Sequence, residues 1–124
     1  MRPLIALGAL ECAIAVALGA FGAHALADRL DARALELWQT SARHLMYAGL
    51  GALLAGALAP RVASGPAAGA AVALLVAGGA LFSGTVAALA LGGPRWLGAV
   101  TPLGGLAMIL GFVALGWSIL RGAA

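Results

Sequence analysis

Apolar residues fall along this chain in four long runs, at about 4–23, 42–59, 67–91 and 100–120, separated by short polar breaks. Each run approaches the ~20 residues that cross a hydrocarbon core at about 1.5 Å per residue. Period-two alternation is absent, so strands are not indicated. A helix satisfies every backbone group within its own segment, which hydrocarbon requires. The pattern predicts an all-α integral membrane bundle of four transmembrane helices.

The breaks support those spans. "APRVASGP" (Ala59 to Pro66) is a short turn with two prolines. "LGGPRWLG" (Leu91 to Gly98) carries Gly-Gly-Pro and then Arg95 and Trp96, a loop with an interfacial anchor. The first connection differs. "ADRLDARALELWQTSARH" (Ala27 to His44) holds three arginines and every acid but Glu11. Leu30, Ala34, Leu35, Trp38, Ala42 and Leu45 recur at helical spacing there. We read an amphipathic interfacial helix over about 28–41 that runs into span two. Asp28 or Asp31 can cap it, and Arg33 and Glu36 lie in pairing range. Ala23-His24-Ala25 has the form of a signal cleavage site, but the run before it is long for a signal core and carries Glu11. It reads better as a membrane helix.

Composition sharpens this picture. The chain has 124 residues, 64% of them hydrophobic and 9% charged, far from the balance of a soluble domain. One core of this length cannot hide so much apolar surface, so we expect a single membrane domain over 1–124 with the lipid bilayer as solvent. The net charge of +3 comes from arginines dispersed along the chain, which disfavours a nucleic-acid partner. Four spans place Arg2, Arg61 and Arg121 on one side and Arg29, Arg33, Arg43 and Arg95 on the other. Three against four does not orient the chain under the positive-inside rule. Three acids accompany the four arginines, and we expect cytoplasmic termini in a cell membrane, the inner membrane in a bacterium. The lone Cys12 forms no intrachain disulfide or thiolate cluster and is read as a packing residue.

Three stretches carry a resemblance: "GAFGAHAL" after the first span, "FSGTVAALAL" in the third and "GAVTPLGGLAMILGF" in the fourth. In order and spacing the chain resembles the family known as domain of unknown function 423, related to the eukaryotic transmembrane protein 256. The resemblance implies a small multi-span membrane protein and implies no reaction, cofactor or substrate. The chain departs from the family pattern in two places. A Tyr-Gln pair and a following histidine correspond here to His44, Leu45 and Ala48, and a tyrosine after the Phe-Ser-Gly motif corresponds to Ala87. Any chemistry of that histidine would be absent here unless His44 serves from one turn earlier.

Among polar residues Glu11 is the sharpest feature. An ionised carboxylate in the apolar zone costs several kcal/mol unless paired or wet. Glu11 is therefore protonated, faces water or meets another subunit. The plain alternative is a neutral acid bonded to nearby backbone or to Ser118. At the far end of the spans, His24, Gln39, Thr40, Arg43, His44, Ser83, Thr85 and Thr101 fall near one level, where capping is the plain role. Thr101-Pro102 suits a helix start. Two histidines are too few for a closed metal site. No catalytic motif or cofactor site stands out, and Gly104-Gly105 lacks the context of a phosphate loop.

Small residues suggest close helix packing: Gly8, Ala15, Gly19 and Gly22 in span one, Gly49 and Gly56 in span two, Gly79 and Ser83 in span three. Gly104, Gly111 and Ser118 recur every seven residues in span four. The leading expectation is a structural, assembly or accessory membrane protein, partnered by lipid, a second copy or another membrane protein. The alternative is a proton-coupled small-molecule exporter or permeation subunit acting as a dimer through Glu11. In span number, length and lone glutamate the chain is similar to small multidrug transporters, although the amphipathic connection does not fit them. A third expectation is a membrane enzyme using His24, Arg43 and His44 on a lipid head group.

Overall fold

The protein is described by a computed structural model covering residues 1–62 and 66–122. These residues form four α-helices: α1 (Arg2–His24), α2 (Ala32–Val62), α3 (Pro66–Ala90) and α4 (Leu97–Gly122). Three of them, α1, α3 and α4, are long and apolar enough to cross a membrane. In α2 the apolar stretch is shortened by the charged first half and by Pro60 and Arg61.

The start of the interfacial helix is the first correction: it begins at Ala32 and not near 28. Residues 25–31 are turn, and the expected amphipathic helix and span two are one 31-residue helix. Nothing between Ala32 and Ala59 breaks a helix, so the change from polar to apolar alters what the helix faces and not its backbone. Asp31, not Asp28, is the cap: its Oδ1 accepts the Ala34 N–H at 2.8 Å. Glu36 pairs with Arg43 at 2.6 Å and not with Arg33.

Helix α4 starts at Leu97, three residues before the expected start, in a turn closed by the Leu97, Gly98 and Ala99 amides on the Pro94, Arg95 and Trp96 carbonyls. Thr101 therefore lies inside the helix and does not open it, and Pro102 sits within it too. Helix α3 stops cleanly before that turn. Gly92 takes φ +90°, the Gly93 amide reaches Ala88 O at 2.8 Å and the Gly92 amide reaches Leu89 O at 3.1 Å. This is a glycine-dependent C-cap, which a residue with a Cβ fits poorly.

Each helix packs on its neighbours in sequence, and α1 and α4 do not touch. Helix α1 also meets α3, and α2 also meets α4, so α2 and α3 form the centre and α1 and α4 lie at opposite edges. The core is built of small and branched aliphatic side chains: Ala52 and Ala55 of α2, Ala71, Val72, Leu75 and Val76 of α3, and Leu115 of α4. Only one narrow stripe of each edge helix is buried. In α1 it is Gly8, Glu11, Ala15 and Gly22, and in α4 it is Gly104, Met108, Gly111, Leu115 and Ser118. A second buried cluster, Leu26, Trp38 and Ala90, ties the α1–α2 turn to the end of α3.

The glycine expectations divide. A Cβ on Gly104 would meet the backbone of Phe82 at 2.5 Å, one on Gly111 would meet Leu75 Cγ at 2.8 Å, and one on Gly22 would meet the Trp38 ring at 2.6 Å. At Gly79 a Cβ would collide with that of Ala48. Gly19 is different. A Cβ there would meet only Gln39 Oε1, at 3.9 Å, so Gly19 is no close-packing residue. Gly78 is one that sequence reasoning missed: it faces Gly104 across the α3–α4 contact, with Gly104 O 2.8 Å from where its Cβ would be.

Candidate functional site

Glu11 lies about 13 Å along α1 from Arg2, near mid-helix. It belongs to the buried stripe and is 7% exposed. The stripe continues through it because Gly8 and Ala15 on either side let α2 approach, which leaves the longer glutamate to reach toward α3. There Gly79 makes room: a Cβ at that position would stand 3.4 and 3.5 Å from the two carboxylate oxygens. Neither oxygen has a hydrogen-bond partner. Ser118, weighed as a partner, instead donates to Leu115 O at 2.9 Å, on a helix that does not touch α1.

Ser83, one turn beyond Gly79 on α3, is also buried, and its hydroxyl has no partner either. Glu11 and Ser83 line one cavity of about 320 Å³. The other walls are Ile14 and Leu18 of α1, Leu45 of α2, and Ala80, Gly84 and Ala87 of α3. Two expected site residues thus come together, three helices deep in apolar surroundings.

The polar residues expected near one level do not form a single site. Trp38 Nε1–H donates to Leu18 O at 2.7 Å and Gln39 Nε2–H donates to Gly19 O at 3.3 Å, which fastens α2 to α1. Arg43 sits on the exposed face of α2, bonded to Glu36 Oε1 at 2.6 Å and Thr40 Oγ1 at 3.2 Å. His44 places Nδ1 2.9 Å from Thr40 O, with its ring 4.6 Å from that of Phe82 and 5.1 Å from that of Tyr47. It lines a second cavity of about 330 Å³ with Tyr47, Phe82, Met108 and Phe112. The Thr85 and Thr101 hydroxyls lie 2.6 Å apart. One donates to the other, and the remaining proton goes to a carbonyl one turn back, Leu81 O at 2.8 Å or Leu97 O at 3.0 Å. His24 ends α1 exposed and joins none of these groups. Since α1 and α4 do not touch, His24 and Thr101 are not brought together.

These features are those of a helical protein suited to a bilayer: apolar faces outward, and most buried hydroxyls bonded within their own helix. The family model described as "Protein of unknown function (DUF423)" matches residues 18–105, and the chain belongs to that family. It is 37% identical over 115 residues to the UPF0382 membrane protein YwdK of Bacillus subtilis (strain 168), covering 93% of this chain and 94% of that one. A UPF0382 membrane protein of Staphylococcus saprophyticus is 46% identical over 56 residues, 45% of this chain and 47% of its own. A UPF0382 membrane protein of Staphylococcus epidermidis is 45% identical over 56 residues, 45% of this chain and 46% of its own. No solved structure matches the chain.

Proposed function

We propose that this chain is a four-span integral membrane protein of the cell membrane, with cytoplasmic termini and a structural, assembly or accessory role. It has no enzymatic activity of its own in this reading. The observation that carries it is the pair of uncovered edge helices. The outward faces of α1 (Leu7, Leu10, Ile14, Val16) and α4 (Leu103, Leu106, Ile109, Val113) are apolar and large, and the two helices do not cover one another. Surfaces of this extent require lipid, a second copy or another membrane protein. Packed between α1 and α3, α2 has to share their medium, and its 31 residues, about 46 Å long, exceed the ~30 Å core and carry the charged Glu36–Arg43 end beyond it. At the end of α4, Arg121 lies 5.4 Å over the Trp117 ring, an arrangement that suits the interface. The relatives' printed name, membrane protein, agrees with this reading.

A second reading has one specific observation behind it. The unpartnered Glu11 carboxyl supports a proton-coupled exporter or permeation subunit, with a dimer supplying the rest of the pathway. Purified protein in liposomes carrying a pH gradient separates the two readings. The accessory role predicts proton and solute flux equal to that of empty liposomes. Flux with the native chain that is lost in Glu11→Gln would overturn the accessory role and support the second reading.

A further inference from the structure

We propose that the cavity between Glu11 and Ser83 is a binding site for a small hydrophobic ammonium ion that enters from the bilayer. The proposal rests on the reading that α1 to α3 lie in the membrane, and it does not depend on whether the protein transports anything.

The first argument is the contrast among hydroxyls. Ser41 donates to Trp38 O at 2.6 Å, Ser118 to Leu115 O at 2.9 Å, and Thr85 lies 2.8 Å from Leu81 O. A helical serine or threonine has this local solution at hand in apolar surroundings. Ser83 has the same carbonyls within reach one turn back and leaves its hydroxyl unbonded. It does so in the same cavity where both Glu11 oxygens are unbonded. Buried polar atoms without partners are rare and expensive, and three in one cavity mark a place where something else completes the bonding.

The second argument is the chemistry of the walls. Glu11 is the only ionisable side chain lining the cavity, and α3 carries no charged residue at all. The rest of the lining is aliphatic. A calcium or magnesium ion asks for six or more oxygen ligands, and two side chains offer three. An anion would meet the Glu11 carboxyl with no cationic group to balance it. An organic ammonium fits on both counts. Its N–H groups can donate to Glu11 and to Ser83 Oγ, while its apolar body rests on Leu18, Leu45 and Ala87.

The third argument is access. Ile14 and Ala80, near the middle of their helices, and Gly84, one turn beyond Ala80, are exposed, so the opening faces the side of the helices and not either end. A Cβ on Gly84 would meet nothing within 4 Å, so the rim is open there. A ligand arriving this way has to partition into lipid first, which selects a hydrophobic cation over a hydrated one.

The test is equilibrium titration of benzylammonium into the full chain in lipid nanodiscs, with empty nanodiscs subtracted and benzyl alcohol as the neutral counterpart of similar shape. Saturable binding of one benzylammonium per chain is expected, with benzyl alcohol weaker by about tenfold or more, the value of a charge-assisted bond. Glu11→Gln, which keeps the shape, and Gly84→Leu, whose Cβ meets nothing within 4 Å and which adds bulk to the lining, should each weaken benzylammonium by about tenfold or more. Ser83→Ala should weaken it about threefold. Gly84→Leu keeps the proposal testable if Glu11→Gln does not fold. The proposal is overturned if benzylammonium shows no saturable binding, if benzyl alcohol binds as well, or if Glu11→Gln or Gly84→Leu retains native affinity. Failure of the membrane reading would appear separately, as labelling of chain positions on the wrong side of the bilayer.

Discussion

At Gly104 the backbones of α3 and α4 come as close as helices can. A Cβ there would meet Phe82 N, Phe82 Cα and Gly78 O, all main-chain atoms that cannot yield by rotating a side chain. Its neighbour Gly105 would place a Cβ 3.5 Å from the Phe82 ring, an ordinary contact. Gly104→Ala should therefore lower unfolding stability in detergent by about 1–3 kcal/mol, whereas Gly105→Ala should stay within about 0.5 kcal/mol of native. Equal effects of the two would show that the α3–α4 contact is not set by this glycine. The heptad spacing of Gly104, Gly111 and Ser118 made this stripe legible in the sequence, because all three lie on the buried face of α4. Gly19 was not separable from Gly22 by spacing, since only the position of Trp38 distinguishes them. Glu11 stood out as an anomaly of type. The free hydroxyl of Ser83 did not, because sequence cannot say whether a helical serine takes the carbonyl behind it. Glu36 found Arg43 two turns on, with Thr40 between them, where the shorter spacing to Arg33 had suggested a pair.

At the scale of elements, the helices follow from the apolar runs, but their limits follow from breakers. The glycines and proline at 92–94 were readable as an end and Pro66 opens α3, but Pro60, read as part of a turn, lies inside α2, which runs on to Val62. The charged and apolar halves of α2, read as an interfacial helix running into span two, are one continuous helix, because composition marks depth in a membrane and not backbone continuity. The early start of α4 was hidden because Gly98, which reads as part of the loop, is taken into the helix as Leu97 to Ala99 wind on from the Pro94 turn. The joint between α1 and α2 depends on Trp38. Its indole donates to Leu18 O, its ring lies 6.2 Å from that of Phe21, and it is buried with Leu26 and Ala90. Trp38→Phe keeps a ring and removes the donor, so a loss of about 0.5–1.5 kcal/mol is expected. Trp38→Ala removes the contact surface too and should cost about 3–5 kcal/mol. Denaturant titration of the two variants checks the ordering, and a Trp38→Phe loss as large as that of Trp38→Ala would mean the hydrogen bond dominates.

For the whole molecule, the decisive feature is a pair of edge helices that expose broad apolar faces while the Glu11 carboxyl sits inside. In water this arrangement would bury too little and expose too much. In a bilayer the faces are solvated by lipid, and the small residues between helices supply the packing that hydrophobic drive cannot. On the proposed four-span reading, the charged start of α2 belongs to one interface and α2 crosses packed between α1 and α3. The central claim is therefore that all four helices span. Single cysteines placed at Ala27, Pro66, Trp96 and Gly122 in a Cys12→Ala background, probed in intact cells with a membrane-impermeant maleimide, test it directly. Ala27→Cys and Trp96→Cys should label from outside, and Pro66→Cys and Gly122→Cys should label only after permeabilisation. Labelling of the Ala27 and Pro66 positions from the same side would mean that α2 does not cross, and would contradict the account.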